Sequence, residues 1–436
     1  MDMVTHPYAG TGAYPQSYYA ASANPAPLRP RLEGRHEVDI CVVGGGYSGL
    51  STAITLLEQG HSVTLIEGAR IGWGASGRNG GQIVNGLNAG LHVFRRRFGD
   101  EVAQNVAALF MEGGQIIRDR VARYGIDCDL KEGNVFAAFN DRHMRELREK
   151  RDLWASYGLD SLQMLTRDEM RQHAATDLYC GGMIDTKGGH MHPLNLALGE
   201  AAAVERLGGT IHEMSPVISA DTDGARPVIR TANGEVHART LVLCGNAYLK
   251  GVVPGLEWRV MPVSTQVMAT EPLGADRARA LMPADTCVED VRYILDYYRM
   301  SADNRLLFGG GSVYGGTDPR DIKRKLVRSM ERVFPSLKST RIDHAWSGNF
   351  ALSFTRVPQM GRIGPSTYFA HGYSGHGVVG SHLFGRILGE AINGDLSRFD
   401  MFANLPWLPF PGGRTFRVPY SVLGSWWYAA RDRLGV

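Results

Sequence analysis

The sequence predicts an α/β chain: a parallel sheet assembled from separated stretches, interrupted by an α+β unit built on an antiparallel sheet. Three observations carry this. An apolar strand at 38–43 runs into Gly44-x-Gly46-x-x-Gly49, an apolar helical stretch and a second strand that ends in Glu67. A glycine-rich run from Arg70 to Gln82 follows at once. Far downstream, the strand-like run 240–244 closes on Gly245-Asn246, which returns the chain to the first unit.

Residues 1–35 read as an extended arm, polar and rich in Ala, Tyr and Pro. Residues 36–95 form the first segment of the nucleotide unit. There Gly44 permits a tight turn, Gly46 lets the backbone approach a pyrophosphate, and Gly49 lets the helix pack close to the strand. The helix beginning at Tyr47 and Ser48 offers unpaired N–H groups and partial positive charge to phosphates. Glu67, followed by Gly68 and Ala69, lies about 20 residues on, where a carboxylate can bind ribose hydroxyls. A bare GxGxxG is weak, but strand, glycines, helix, strand and acid in order read as a Rossmann-like dinucleotide site.

The run from Arg70 through Gly74, Ala75, Ser76, Arg78, Asn79, Gly80 and Gly81 to Gln82 holds too much glycine for a helix or strand interior. Its N–H groups, with the Ser, Arg and Asn side chains, suit a second phosphate contact and the edge of a flat ring.

These segments resemble the flavoprotein family of D-amino-acid oxidase, glycine oxidase and sarcosine oxidase. The run 74–82 resembles the stretch that lies along FAD in that family. A third segment agrees: 368–378, containing Gly372, Tyr373, Ser374, Gly375, His376, Gly377 and Val378, then an apolar helix-like run to Glu390. In the family this segment meets the flavin ring, and its helix aims its N-terminus at the flavin O2, where negative charge builds on reduction. The resemblance also implies cofactor contacts from Val217, Cys244, Gly245, Asn246 and Gly348. Segments 17–24, 188–195, 295–299, 346–350 and 411–419 resemble the branch that oxidises gamma-glutamylputrescine and related amines. Neighbouring branches act on cyclic amino acids such as pipecolate. Sarcosine oxidases carry a flavin-linked cysteine near the segment here reading 350–355. No cysteine follows Cys287, so FAD is expected to be non-covalent.

The rest of the chain is expected to alternate between the two units. Residues 96–189 form the first substrate-domain segment, with helices over 100–123 and 140–157. Residues 190–256 return to the FAD unit with a helix over 193–208, strands at 210–213 and 216–218, and a hairpin about Asn233-Gly234. Residues 257–341 add strands at 258–270, a hairpin of 292–300 with 305–310, and a helix over 318–333. Residues 342–395 complete the FAD unit, and 396–436 form a tail.

The resemblance implies the chemistry: a hydride leaves the carbon beside an amine nitrogen for flavin N5. The imine hydrolyses to aldehyde and ammonia. Oxygen, giving hydrogen peroxide, or another acceptor then takes the electrons. The small-molecule amine is a cation that must become neutral, and aromatic walls attract it without locking it charged. Tyr297, Tyr298 and Trp346 are the candidates, although strand alternation lets at most one of the two tyrosines face the pocket easily. His376 is a candidate hydrogen-bond donor to the ring. Arg356 and Arg362 could hold a substrate carboxylate. His190 and His192 alternate, but no further ligand cluster completes a metal site.

Composition excludes other classes. A net charge of +3 over 436 residues gives no nucleic-acid surface, and Arg95 to Arg97 read as a solvated helix face. Five scattered cysteines without a C-x-x-C pair fit a reducing cytoplasm. No signal peptide is expected, nor any membrane span or association. The tail from 422 to 434 is expected to dock on the protein. Two alternatives remain at this stage: oxidation of a cyclic or secondary amino acid such as L-pipecolate, and a flavin-binding subunit without catalysis.

Overall fold

The computed structural model describes residues 12–249, 251–253, 255–316 and 321–434. The strand Gly34–Val43 is central to the first sheet because its last four residues are apolar and buried, as a strand covered on both faces requires. Val63–Ile66 and then Thr210–His212 lie on one side of it, and Gly234–Leu243 and then Thr367–His371 on the other, all parallel. Gln359–Ile363 closes one edge antiparallel. The order of strands reverses between Gly34–Val43 and Gly234–Leu243, and a crevice forms outside the carboxyl ends of strands at such a point.

Two helices cover the sheet, Tyr47–Glu58 and Gly377–Ile392. They approach closely because a Cβ on Gly385 would fall 2.4 Å from Ser51 Cβ, and one on Gly389 2.6 Å from Thr55 Cγ2. A buried ionic group sits behind them. His382 Nε2 lies 3.0 Å from Glu200 Oε1, which also pairs with Arg120 at 3.4 Å. Burial opposes ionisation of Glu200, yet His382 and Arg120 hold its carboxyl below the usual range.

The second sheet runs Ile342–Ser353, Val260–Thr270, Leu306–Tyr314, Asp296–Met300, Cys287–Asp290, Lys131–Ala138, Gly181–His190 and Gln82–Ile83. It is antiparallel except between Cys287–Asp290 and Lys131–Ala138. Thus Gln82–Ile83 and Ile342–Ser353, both expected in the FAD unit, belong to the second sheet, because main-chain pairing joins them to Gly181–His190 and Val260–Thr270. The helices Asp100–Leu109, Glu112–Tyr124, Asp141–Ser156, Pro193–Arg206 and Ile322–Val333 lie where periodicity puts them. Residues 318–320 of the last expected helix lie outside the described residues. The strand expected at 216–218 is displaced to Ser219–Asp221.

Two terminal expectations change. Residues 1–11 of the arm lie outside the described residues, and beyond them it is not simply extended. Ser17 caps a helical turn, Tyr18–Ala21, by accepting from Ala20 N at 3.1 Å. Tyr19 is fully buried against Trp346 and His192, and its hydroxyl accepts from Arg299 Nη2 at 3.2 Å. At the other end, the helix Gly413–Leu434 docks through its first turns, and Ser425 is also buried. Arg417 Nη1 donates to the Val260 carbonyl, and Val418 packs beside Met261 and Val263. Phe416, Tyr420, Leu423, Trp426 and Trp427 are more than half exposed, so the expected apolar docking face points outward. Side chains from Tyr428 onward lie outside the described residues. Among the described residues, no helix is long and apolar enough to cross a membrane.

Candidate active site

A cavity of about 380 Å³ opens at the carboxyl ends of the parallel strands and is roofed by the second sheet. Its floor is the glycine loop. Gly44 has φ +113°, and a Cβ there would stand 2.9 Å from the Cys244 carbonyl. A Cβ on Gly46 would meet Ser76 Oγ at 2.8 Å. Gly49 does not line the cavity; a Cβ on it would lie 1.9 Å from Gly44 O, so its task is the helix–strand approach. Neither Gly46 nor His376, at the N-caps of the two helices, caps its helix with a side chain. Glu67 lines the cavity, with Oε2 accepting from Gly45 N at 2.6 Å and Oε1 from Ala69 N at 2.8 Å. Burial raises its carboxyl, opposed by those two N–H groups.

Most of the residues read from the sequence come together here. Gly44, Gly46, Tyr47, Ser48, Glu67, Gly68 and Ala69 line one end, with Val217, Cys244, Gly245 and Asn246 beside them. The loop contributes Gly74, Ala75, Ser76, Arg78, Asn79, Gly80 and Gln82. Asn79 shapes it by donating to the Ala75 and Ser76 carbonyls at 3.0 and 2.8 Å while accepting from Gly81 N at 2.7 Å. Arg78 donates to Tyr248 Oη at 2.9 Å. Gly348, Tyr373, Ser374, Gly375, His376, Gly377 and Val378 line the far wall, where the Tyr373 hydroxyl hydrogen-bonds Ser48 Oγ.

Several expected residues stand behind the wall. Arg70 turns away to pair with Glu213 at 3.0 Å. Gly81 packs under Met191 O and Arg299, and Gly372 donates its N–H to Asn246 Oδ1 at 3.0 Å. Trp346 does not face the cavity; its Nε1 donates to the Arg78 carbonyl at 3.0 Å and fixes the loop from outside. Tyr298 also faces away. It stacks on Phe308 with centroids 5.4 Å apart and donates to Tyr179 Oη at 3.1 Å, because it sits one residue from Tyr297 on a pleated strand. Of the pair, Tyr297 is the one that lines the cavity, and burial raises its phenol.

His376 lines the cavity as a neutral ring, pushed down to about 4 by burial, with Lys150 and Arg356 adding. Asn88 Nδ2 donates to its Nδ1 at 3.1 Å, which leaves the ring proton on Nε2. Arg356 lines the cavity and donates to Tyr293 Oη at 2.9 Å, whereas exposed Arg362 bonds the Pro365 carbonyl. His190 and His192 have structural partners, the Asp285 carbonyl at 2.9 Å and Asn195 N at 3.1 Å. Among the described residues no group of three ligand-type side chains could hold a metal. Sequence reading missed Asn88, Thr265, Glu289 and Tyr293, which also line the cavity. No motif marks them; strand register alone brings Glu289 beside Tyr297.

The floor fits a dinucleotide: three glycines that a Cβ would obstruct, two helix N-termini and a carboxylate at the end of the second strand. The FAD dependent oxidoreductase family model matches residues 39–391. Gamma-glutamylputrescine oxidoreductase of Escherichia coli is 49% identical over 421 residues, covering 96% of this chain and 99% of that protein. A probable oxidoreductase, OrdL, of Haemophilus influenzae is 37% identical, covering 96% and 97%. The crystal structure of glycine oxidase from Geobacillus kaustophilus superposes with a TM-score of 0.69 at 22% identity, covering 85% of this chain and all of that one. With sequence, topology and glycine floor in agreement, the chain belongs to the FAD dependent oxidoreductases and is an enzyme that oxidises amine donors.

Proposed function

We propose that this enzyme oxidises the terminal primary amine of gamma-glutamylputrescine, or of a close polyamine derivative, to an aldehyde and ammonia. Oxygen is the proposed acceptor, giving hydrogen peroxide. The observation that carries the reading is the single cavity joining the glycine floor to a roof of Tyr297, Glu289, Tyr293 and Arg356. That roof offers an aromatic wall, an acid and a guanidinium to a ligand that carries both amine and carboxylate. The relative named for gamma-glutamylputrescine adds its support.

The residues proposed to hold FAD are the glycine loop, Glu67, the 74–82 loop, Asn246 and the 373–378 turn. Bound FAD would supply the two-electron acceptor for the hydrogen on the carbon beside the amine nitrogen. The N-terminus at Gly377 presents N–H groups that stabilise negative charge in the cavity. His376, neutral and with its proton on Nε2, adds a donor without adding a cation. Tyr297 remains protonated and offers its ring face to an ammonium. Arg356, which lines the cavity, is the group proposed to take the glutamyl carboxylate through a charge-assisted pair. Cys244 lines the cavity, but burial pushes its thiol up to about 12, so it remains protonated and is a poor nucleophile. This supports the proposed non-covalent attachment.

The test is anaerobic mixing of the purified holoenzyme with gamma-glutamylputrescine, putrescine and pipecolate, following the oxidised flavin band near ~450 nm. Bleaching by gamma-glutamylputrescine is expected. Bleaching by pipecolate alone would assign the enzyme to amino-acid oxidation, and no bleaching would refute the proposed substrate. Release of flavin on acid precipitation checks that it is non-covalent.

A further inference from the structure

Among the described residues, the buried carboxylates are well partnered, with one exception. Glu213 is met by Arg29 and Arg70, Glu200 by His382 and Arg120, and Asp290 and Asp296 by Arg292. Asp185 accepts from Asn85 Nδ2 and Lys187 N. Glu289 is only 6% exposed and lines the cavity, yet among the described residues it has no ion pair and one long hydrogen bond, from Asn134 Nδ2 at 3.5 Å. A buried carboxylate so thinly satisfied is costly unless something else completes it.

Its surroundings are fixed. Asn134 Oδ1 accepts from Gln82 Nε2 at 3.2 Å and Cys287 Sγ at 3.0 Å, which turns the amide nitrogen toward Glu289. Tyr297 is its register partner on the next strand and faces the same side. The nearby cation, Lys150 of the helix Asp141–Ser156, is held 3.7 Å over the Phe136 ring instead of in an ion pair with it. We propose that Glu289 receives the ammonium of the substrate, pairing with it on entry and then taking its proton, so that a neutral amine stands against Tyr297. The inference rests on the amine reading above. One N–H bond of the ammonium breaks, one O–H bond forms on the carboxylate, and no electrons change hands.

The chemistry of the site agrees. Burial pushes the Glu289 carboxyl up to about 7, with Lys150 and Asn134 opposing and Asp290 adding. The other titratable neighbours, Cys287 and Tyr297, are raised by burial and remain neutral. Lys150, lowered by burial, is drawn back up by Glu289 and Asp185. A group near neutrality both attracts a cation and retains a proton, as a general base working at physiological pH must.

The experiment compares wild-type holoenzyme with Glu289→Gln and Glu289→Asp, using flavin content as the control for folding. Flavin reduction by the best amine substrate is followed against pH. Binding of tert-butylammonium, which has no hydrogen on the carbon beside nitrogen, is measured by calorimetry. Glu289→Gln should retain FAD, slow reduction roughly 10²-fold, lose the acidic limb near neutrality and bind the probe about 10-fold more weakly. Glu289→Asp should keep a limb at shifted pH. Unchanged probe affinity and pH profile in Glu289→Gln would overturn the proposal. If that variant loses FAD, the Asp variant decides, and an unmoved limb counts against it. Wild-type flavin that bleaches with another amine but not with gamma-glutamylputrescine would refute the substrate alone, since probe binding reads Glu289 independently.

Discussion

Gly49 and the pair Tyr297–Tyr298 show what single positions decide. A methyl on Gly49 meets a backbone oxygen that belongs to the same tight turn, so nothing can move aside. Gly49→Ala is expected to lower the flavin-to-protein absorbance ratio of the purified enzyme at least about 10-fold by pushing the first helix off its strand. Tyr298→Phe removes one buried hydroxyl and should cost about 1 kcal/mol in chemical denaturation while leaving turnover intact. Tyr297→Ala opens the roof and should raise KM for the amine about 10-fold. A loss of activity in the first and not the second would reverse the assignment. Alternation showed from sequence that the two rings diverge, but not which one faces inward, because that depends on the neighbouring strand. Glu289 was illegible for the same reason: its motif-free strand gains meaning only from its pairing with Tyr297. Trp346 was legible as important, but its role is to hold the Arg78 carbonyl.

At the level of elements, the two helices behind the glycine floor act as one unit. Gly385 and Gly389 lie one turn apart on the face that meets Ser51 and Thr55. Gly385→Val should force the helices apart, destabilise the protein by roughly 1–3 kcal/mol in urea and weaken FAD retention, because both N-termini move together. Unchanged stability and flavin content would show that the seam can yield. Both helices were plain in the sequence from their apolar runs and leading glycines, and the hairpin expected at 292–300 with 305–310 forms as Asp296–Met300 with Leu306–Tyr314. The parallel pairing of Cys287–Asp290 with Lys131–Ala138 was not, since no local turn joins strands so far apart in sequence.

The whole molecule is expected to respond to acid through buried histidines that do not line the cavity. Burial pushes His190, His192 and His371 down to about 3, with Arg299 adding for the first two and Arg259 for the third. In the unfolded chain such rings protonate near about 6.5. Between those values the unfolded state binds more protons, so stability falls as pH falls through that window, and above it these rings contribute nothing. Glu289, raised to about 7, acts oppositely as pH falls from there toward its ordinary value, as do the raised carboxyls of Glu67, Asp290 and Glu390, while His376, lowered to about 4, adds to the three histidines. The Tm should therefore drop several degrees between about pH 7 and about pH 5, as calorimetry would show. A flat profile would mean that these histidines are protonated in the native state. At this scale the sequence showed a discontinuous molecule, but it assigned 342–353 to the FAD unit, whereas Ile342–Ser353 pairs with Val260–Thr270 in the second sheet.

That discontinuity also sets a schedule. The cavity takes its wall from residues 43–88, 216–252, 265–312 and 348–381, and Tyr19 settles against Trp346, His192 and Arg299. During synthesis, the glycine loop emerges early and must wait for nearly the entire chain. Cofactor capture is thus expected to be a closing event, and a nascent polypeptide halted before the turn at 373–378 would carry the glycine loop without the far wall of its cavity.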